Sequence, residues 1–334
     1  MTTLLESRYR AVLRLLPAYY RREREEEMVE TYLWDVDQET QEQSRPTLGE
    51  VASIVALAVR SRLGAGGAPR RYAVLGSAVR LFALFAVLLQ AASAVVDRVL
   101  GLTWASTRGG SQWALFTDGF TGHGVWAGAG AVAQWFLPLL WTVAYFALLR
   151  DHRRLAQVSA LVAALPTLFP LVDLWARDFA PSDSAYVVAA AVLAWASALA
   201  LCAAHHRDAP AAALPAGAPG LVFAACCVLM GGSVVALPGG VDTVWALVTC
   251  YLVTALAWLL YRARGGNRVP AAEAAALAAL GLLLLAVRIT AVYPWLDLLP
   301  GALRVGVLTQ AAALVALTAV LAVVSGRDLL SRGT

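Results

Sequence analysis

The sequence predicts an all-α, polytopic membrane protein, with about eight transmembrane helices behind an N-terminal cytoplasmic three-helix bundle. Three observations carry that expectation. Of 334 residues, 60% are hydrophobic and only 14% are charged, where a soluble domain has about 45–50% and about 25%. The mean hydropathy is +0.67. The apolar residues gather in runs near 73–96, 126–149, 155–175, 185–204, 220–238, 243–261, 271–292 and 304–325, each close to the roughly 20 residues a helix needs to cross a hydrocarbon core. This composition excludes an ordinary soluble enzyme, a disordered chain and a disulfide scaffold.

Residues 1–66 stand apart. They hold nine Arg against eleven Asp or Glu, and no apolar run long enough for a signal-peptide core. Leu5, Tyr9, Val12, Leu13 and Leu16 recur at helical spacing and predict a first helix with one apolar stripe, which Pro17 ends. Val29, Tyr32, Leu33 and Val36 predict a second. The charge run before them sets Arg21 beside Glu25 and Arg22 beside Glu26 at i,i+4, either as a solvated face or as a partner-docking patch. Ser44-Arg45-Pro46 ends that helix, and Thr47 with Glu50 predicts a capping box for a third, striped by Leu48, Val51, Val55 and Ala58. Helices with single apolar faces bury them against one another or against a partner. A glycine-rich stretch leads through a linker at 67–72 to Arg70 and Arg71, which mark the membrane surface.

Several of these residues carry a resemblance. Leu13-Arg14-Leu15-Leu16-Pro17, then Arg21/Arg22, Glu25/Glu26 and Met28, then Leu48-Gly49 and Val51-Ala52 resemble the HAAS domain, the helix-turn-helix-associated α-helical signalling domain. The match covers about a fifth of the chain. It implies a domain that precedes transmembrane helices and a cytoplasmic partner such as a PadR-like transcriptional regulator. The Leu-Pro, Arg and Glu-Glu-Met pattern is also similar to the prefix domain of MacB-like ABC permeases. That similarity implies a transport component working with a separate ATPase.

Past the linker, the bundle is expected over 73–325 with a cytoplasmic tail at 326–334. Thirteen Arg lie just before the first run (Arg60, Arg62, Arg70 and Arg71), in alternate loops and in the tail, while the opposite loops hold three, Arg98, Arg108 and Arg177. The positive-inside bias then puts both termini in the cytoplasm of a bacterial cell. The longest outer segment, 97–124, contains Trp104, Trp113, Phe116, Phe120 and His123. Its aromatic residues suit either a membrane-surface belt or a ligand-binding loop.

Each outward-going run ends in an apolar residue and an aspartate: Asp97, Asp173, Asp242 and Asp297. These carboxylates either ring the outer mouth and attract a cation or basic peptide, or simply mark the outer boundary. Arg288 lies inside the seventh run, where a charge is costly unless it pairs or snorkels. With Asp173, Asp297 and Arg304 nearby, it reads as a structural ion pair or as a substrate ligand. Gln90, Gln134 and Gln310 suit hydrogen bonds between helices.

Cys202, Cys226, Cys227 and Cys250 fall in or at the ends of apolar runs without metal-ligand spacing. No nucleotide-binding loop, nucleophile elbow or metalloprotease motif occurs. The expectation is therefore not an enzyme, with no cofactor or metal, no direct nucleic-acid contact and the lipid bilayer as its surroundings. Coupling of an outer or membrane signal to a cytoplasmic partner is the leading function. A permease-like component is the alternative.

Overall fold

A computed structural model describes residues 4–34, 45–64, 68–121, 125–176, 181–206, 209–212, 214, 218–236, 244–266 and 269–330. Val36, His123, Arg177 and Asp242 lie outside the described residues, as does the side chain of Asp173. Helix and turn account for the described chain, with no strand. Two compact units divide it, Met1–Val79 and Arg80–Thr334.

The first unit contains α1 (Leu4–Leu13), α2 (Ala18–Trp34), α3 (Leu48–Arg62) and the start of α4 (Arg70–Thr107). Of the stripes expected for the first two helices, Leu5, Tyr9, Leu13 and Leu16 from α1 and its turn and Val29 from α2 are buried, while Val12, Tyr32 and Leu33 are half-buried. The Tyr9 and Tyr32 rings stack with centroids 4.0 Å apart. The capping box also forms. Glu50 N–H donates to Thr47 Oγ1 at 3.3 Å, and Thr47 N–H donates to Glu50 Oε2 at 2.7 Å.

The third helix departs from expectation in part: Ala58 of the expected stripe is buried, but Ile54 and Ser61, outside that stripe, are buried with it. Leu48 and Val55 are exposed. α3 carries two apolar stripes, and the one holding the small Ala58 and Ser61 allows the closer approach. Tyr19 accordingly reaches the Ser61 carbonyl with its hydroxyl at 2.7 Å. The turn into α4 needs glycine twice. Gly64 adopts φ +82°, and a Cβ on Gly76 would overlap the Leu63 carbonyl.

The second unit continues α4 and adds α5 (Gly110–Thr121), α6 (Val125–Phe136), α7 (Leu140–Leu149), α8 (Arg153–Ala164), α9 (Leu168–Ala176), α10 (Pro181–Ala204), α11 (Pro219–Ala236), α12 (Trp245–Arg264), α13 (Ala271–Val292) and α14 (Gly301–Leu330). Short 3-10 turns at Leu137–Leu139 and Leu165–Thr167 join α6 to α7 and α8 to α9, and one at Tyr293–Trp295 follows α13. Each contains a proline, Pro138, Pro166 and Pro294. Counting through these turns, eight helices among the described residues are long and apolar enough to cross a membrane.

α4 is longer than its apolar run. It passes Asp97 without a break and ends at Thr107. The 97–124 segment is therefore mostly helix, the end of α4 followed by α5. The aromatic residues of α5 pack on α6: Phe116 and Phe120 stand edge-on to Trp135 at 5.1 and 6.0 Å.

α13 lies among α10, α12 and α14 and buries residues along its whole length, from Ala271 to Val292. Polar side chains join the surrounding helices. The Tyr251 hydroxyl donates to the Leu277 carbonyl at 2.7 Å, and Gln310 Nε2 donates to the Trp245 carbonyl at 3.1 Å and to Thr249 Oγ1 at 2.8 Å. In apolar surroundings such bonds hold helices together, because burial of apolar area no longer distinguishes neighbour from solvent.

α12, α13 and α14 approach closely at Gly281, since a Cβ there would press on the Tyr251 hydroxyl and Thr318 Oγ1. Gly281→Ala is expected to cost about 1–3 kcal/mol by overpacking, read as a lower thermal midpoint in detergent. Gly231→Ala in α11 meets open space and should leave the midpoint unchanged or raise it.

Candidate functional site

The site is a cavity of about 200 Å³ in the second unit. Its polar wall comes mainly from one face of α4. Gln90, Ser93 and Asp97 are spaced i, i+3 and i+7, so they stack along a single stripe of a helix that is otherwise apolar there. Thr167 and Tyr186 add hydroxyls, Trp141 adds an aromatic face, and Leu193, Leu247 and Val287 close the apolar side.

Two prolines explain why a cavity forms at this level. Pro138 and Pro166 both line it, each within a 3-10 turn that interrupts an apolar helix. Pro138 has no N–H to give the Gln134 carbonyl four residues earlier. The tighter turn also shifts neighbouring donors to i−3 partners. In an apolar medium the freed carbonyls require other donors.

Arg98 supplies them. Its Nε donates to the Trp135 carbonyl at 2.9 Å and its Nη2 to the Gln134 carbonyl at 2.8 Å. The guanidinium also lies 5.6 Å from the centroid of the Trp135 ring. One arginine thus closes the broken end of α6 and fixes it to α4.

Asp97 is less compensated. Ser93 Oγ donates to its Oδ2 at 3.2 Å, and Arg98 Nη1 stands 4.0 Å from the same oxygen, at the limit of an ion pair. Its side chain is 46% exposed. At that separation, and with Arg98 only 16% exposed, the cavity presents the carboxylate more openly than the guanidinium that faces it.

The other expected charges occupy separate settings. Asp297 pairs with Arg304 at 3.6 Å on an exposed turn. Arg288 is fully buried in α13, its guanidinium 5.5 Å from the Trp245 ring centroid. Asp173 falls in α9. Among the described side chains, the polar atoms at this cavity belong to Asp97, to Gln90, which was expected to bond between helices, and to residues that were not singled out for a site: Ser93, Arg98, Thr167 and Tyr186. The signal for Ser93 was the polar i, i+3, i+7 stripe within α4.

In the first unit, Glu25 and Glu26 turn toward α1. Arg10 donates to both carboxylate oxygens of Glu26 at 2.9 and 2.8 Å, and lies 3.8 Å from Glu25. The hydrogen bond from Arg10 holds the Glu26 carboxyl below its ordinary range. Arg22 remains exposed and Arg21 is half-buried. The expected docking patch is therefore divided, with its glutamates joining α1 to α2.

No family model, curated protein or solved structure matches this chain.

The Arg98 contacts make a coupled prediction. Arg98→Leu removes the side-chain donor from the part-buried Trp135 carbonyl and from the exposed Gln134 carbonyl, and should lower stability by about 1–3 kcal/mol, mostly through Trp135. Pro138→Ala restores an N–H opposite the Gln134 carbonyl. Thermal midpoints of the two single variants and the double should show that Arg98→Leu costs less when residue 138 is Ala. Additive losses would contradict the assignment.

Proposed function

We propose that the chain is a multi-pass protein of the bacterial cell membrane that couples the state of its helical bundle to a cytoplasmic partner bound by its N-terminal unit. The observation that carries this reading is the open stripe on α3. Leu48, Val55 and Val59 are 90%, 44% and 36% exposed, and with Val51 they recur on one helical face. Exposed apolar residues scattered singly are ordinary. A continuous row on a charged unit of this size is a surface for another protein.

α4 supplies the connection. Its first residues belong to the N-terminal unit, and the same helix then carries Gln90, Ser93 and Asp97 along the cavity. A change at the cavity that shifts or rotates α4 has a direct covalent path to the α3 face. The partner is a cytoplasmic protein offering an apolar helix face, for which a PadR-like regulator is the leading candidate. The arginine bias supports termini on the cytoplasmic side, and the paired helices and absent reaction motifs support a non-enzymatic role.

Capture from membranes tests this reading. Full-length protein should recover a cytoplasmic partner, identified by mass spectrometry. Removal of residues 1–66 should abolish recovery, and Val55→Asp, a change at an exposed position that leaves the Leu13–Val29–Ile54 core intact, should reduce it at least ten-fold. The same partners on all three proteins would reject the N-terminal unit as the output. Recovery of an ATPase would favour the permease-like reading.

A further inference from the structure

We propose that the Asp97 cavity binds a small organic ammonium ion, a primary amine with an apolar body about the size of one aromatic ring. The proposal deepens the sensing reading above by naming the chemistry of the input, and it rests on that reading only for its biological meaning.

The charge balance sets the sign of the ligand. Arg98 spends Nε and Nη2 on the Trp135 and Gln134 carbonyls and stacks against the Trp135 ring. Only Nη1 approaches Asp97, at 4.0 Å. Arg98 keeps its positive charge, but its side chain is 16% exposed against 46% for Asp97, so an entering ligand meets the carboxylate first and an anion is repelled by it. A cation would meet a carboxylate that holds one serine hydroxyl and a distant guanidinium.

The acceptor pattern sets the head group. Asp97, Ser93 and Gln90 offer oxygen acceptors on successive turns of α4, and Thr167 also lines the cavity. A primary ammonium has three N–H donors, which suits several oxygens converging from one side. A quaternary ammonium has none and would add no hydrogen bond to these oxygens.

The remaining wall sets the body. Leu193, Leu247 and Val287 are buried and apolar, and Trp141 is buried beside them. Trp141 gives a face that attracts a nearby cation, while the aliphatic residues take a hydrophobic tail. The cavity holds about 200 Å³. An apolar cavity of about 150 Å³ accommodates benzene, so one ring carrying an aminomethyl group matches both size and polarity.

Full-length protein in detergent, titrated with benzylammonium, benzyl alcohol and benzoate, tests the proposal by ligand-observed saturation-transfer NMR. Benzylammonium should bind saturably and more tightly than its neutral and anionic analogues. Affinity should fall at least ten-fold in Asp97→Asn and remain unchanged in Asp297→Asn. If Asp97→Asn shows no cooperative thermal transition, Ala190→Leu decides the matter, because it fills part of the cavity wall without touching the charges. Loss of binding there supports the proposal and unchanged binding overturns it. Absence of saturable benzylammonium binding to the natural sequence overturns it, as does benzoate binding of equal strength or unaltered affinity in a folded Asp97→Asn. The titration contains no cytoplasmic partner, so its failure leaves partner capture untouched, and a failure of partner capture leaves the titration untouched.

Discussion

Every backbone N–H and C=O in a chain this apolar has to find a partner within the protein. Helices meet that demand along most of the chain, and the prolines set where they cannot. Pro138 removes one donor from the ladder, and the Gln134 and Trp135 carbonyls are satisfied instead by Arg98, reaching across from α4. The same break opens space beside Asp97, where Pro166 interrupts a second helix and also lines the cavity. Structural repair and candidate site thus have one origin. An arginine that would be costly alone in an apolar bundle is tolerated because two carbonyl dipoles and an aromatic face stabilise it.

The architecture was largely legible because hydropathy reports it directly. Eight apolar runs correspond to eight helices of sufficient length, and the stripes of α1 and α2 identify the residues they bury. α3 was less legible because two apolar stripes compete on one short helix, and hydrophobicity alone does not reveal that Ala58 and Ser61 permit the closer packing. The helical continuation through Thr107 was hidden by polar and small residues, which end an apolar run without ending a helix.

The site was legible only in part. Asp97 stood out as a carboxylate at the end of an apolar run, but so did Asp297, which instead pairs with Arg304 on an exposed turn. Sequence distance separates Arg98 from the proline break it repairs, and only tertiary structure brings them together. Arg98 counted simply as a charge when orientation was inferred. Similarly, the Arg/Glu run of α2 showed a charged helix but not that Arg10 of α1 would engage Glu25 and Glu26.

One helix, α4, joins a small charged unit with an open apolar stripe to a bundle with a partly neutralised carboxylate in its cavity. The proposed coupling requires the N-terminal residues to be cytoplasmic. Labelling by a membrane-impermeant maleimide in intact cells measures that arrangement directly, in a background where the four native cysteines are replaced. Ser111→Cys in α5 should react from outside, and Arg60→Cys in α3 should react only after the cells are opened. Labelling of residue 60 in intact cells, or equal reactivity of both positions, would contradict a cytoplasmic N-terminal unit coupled through α4.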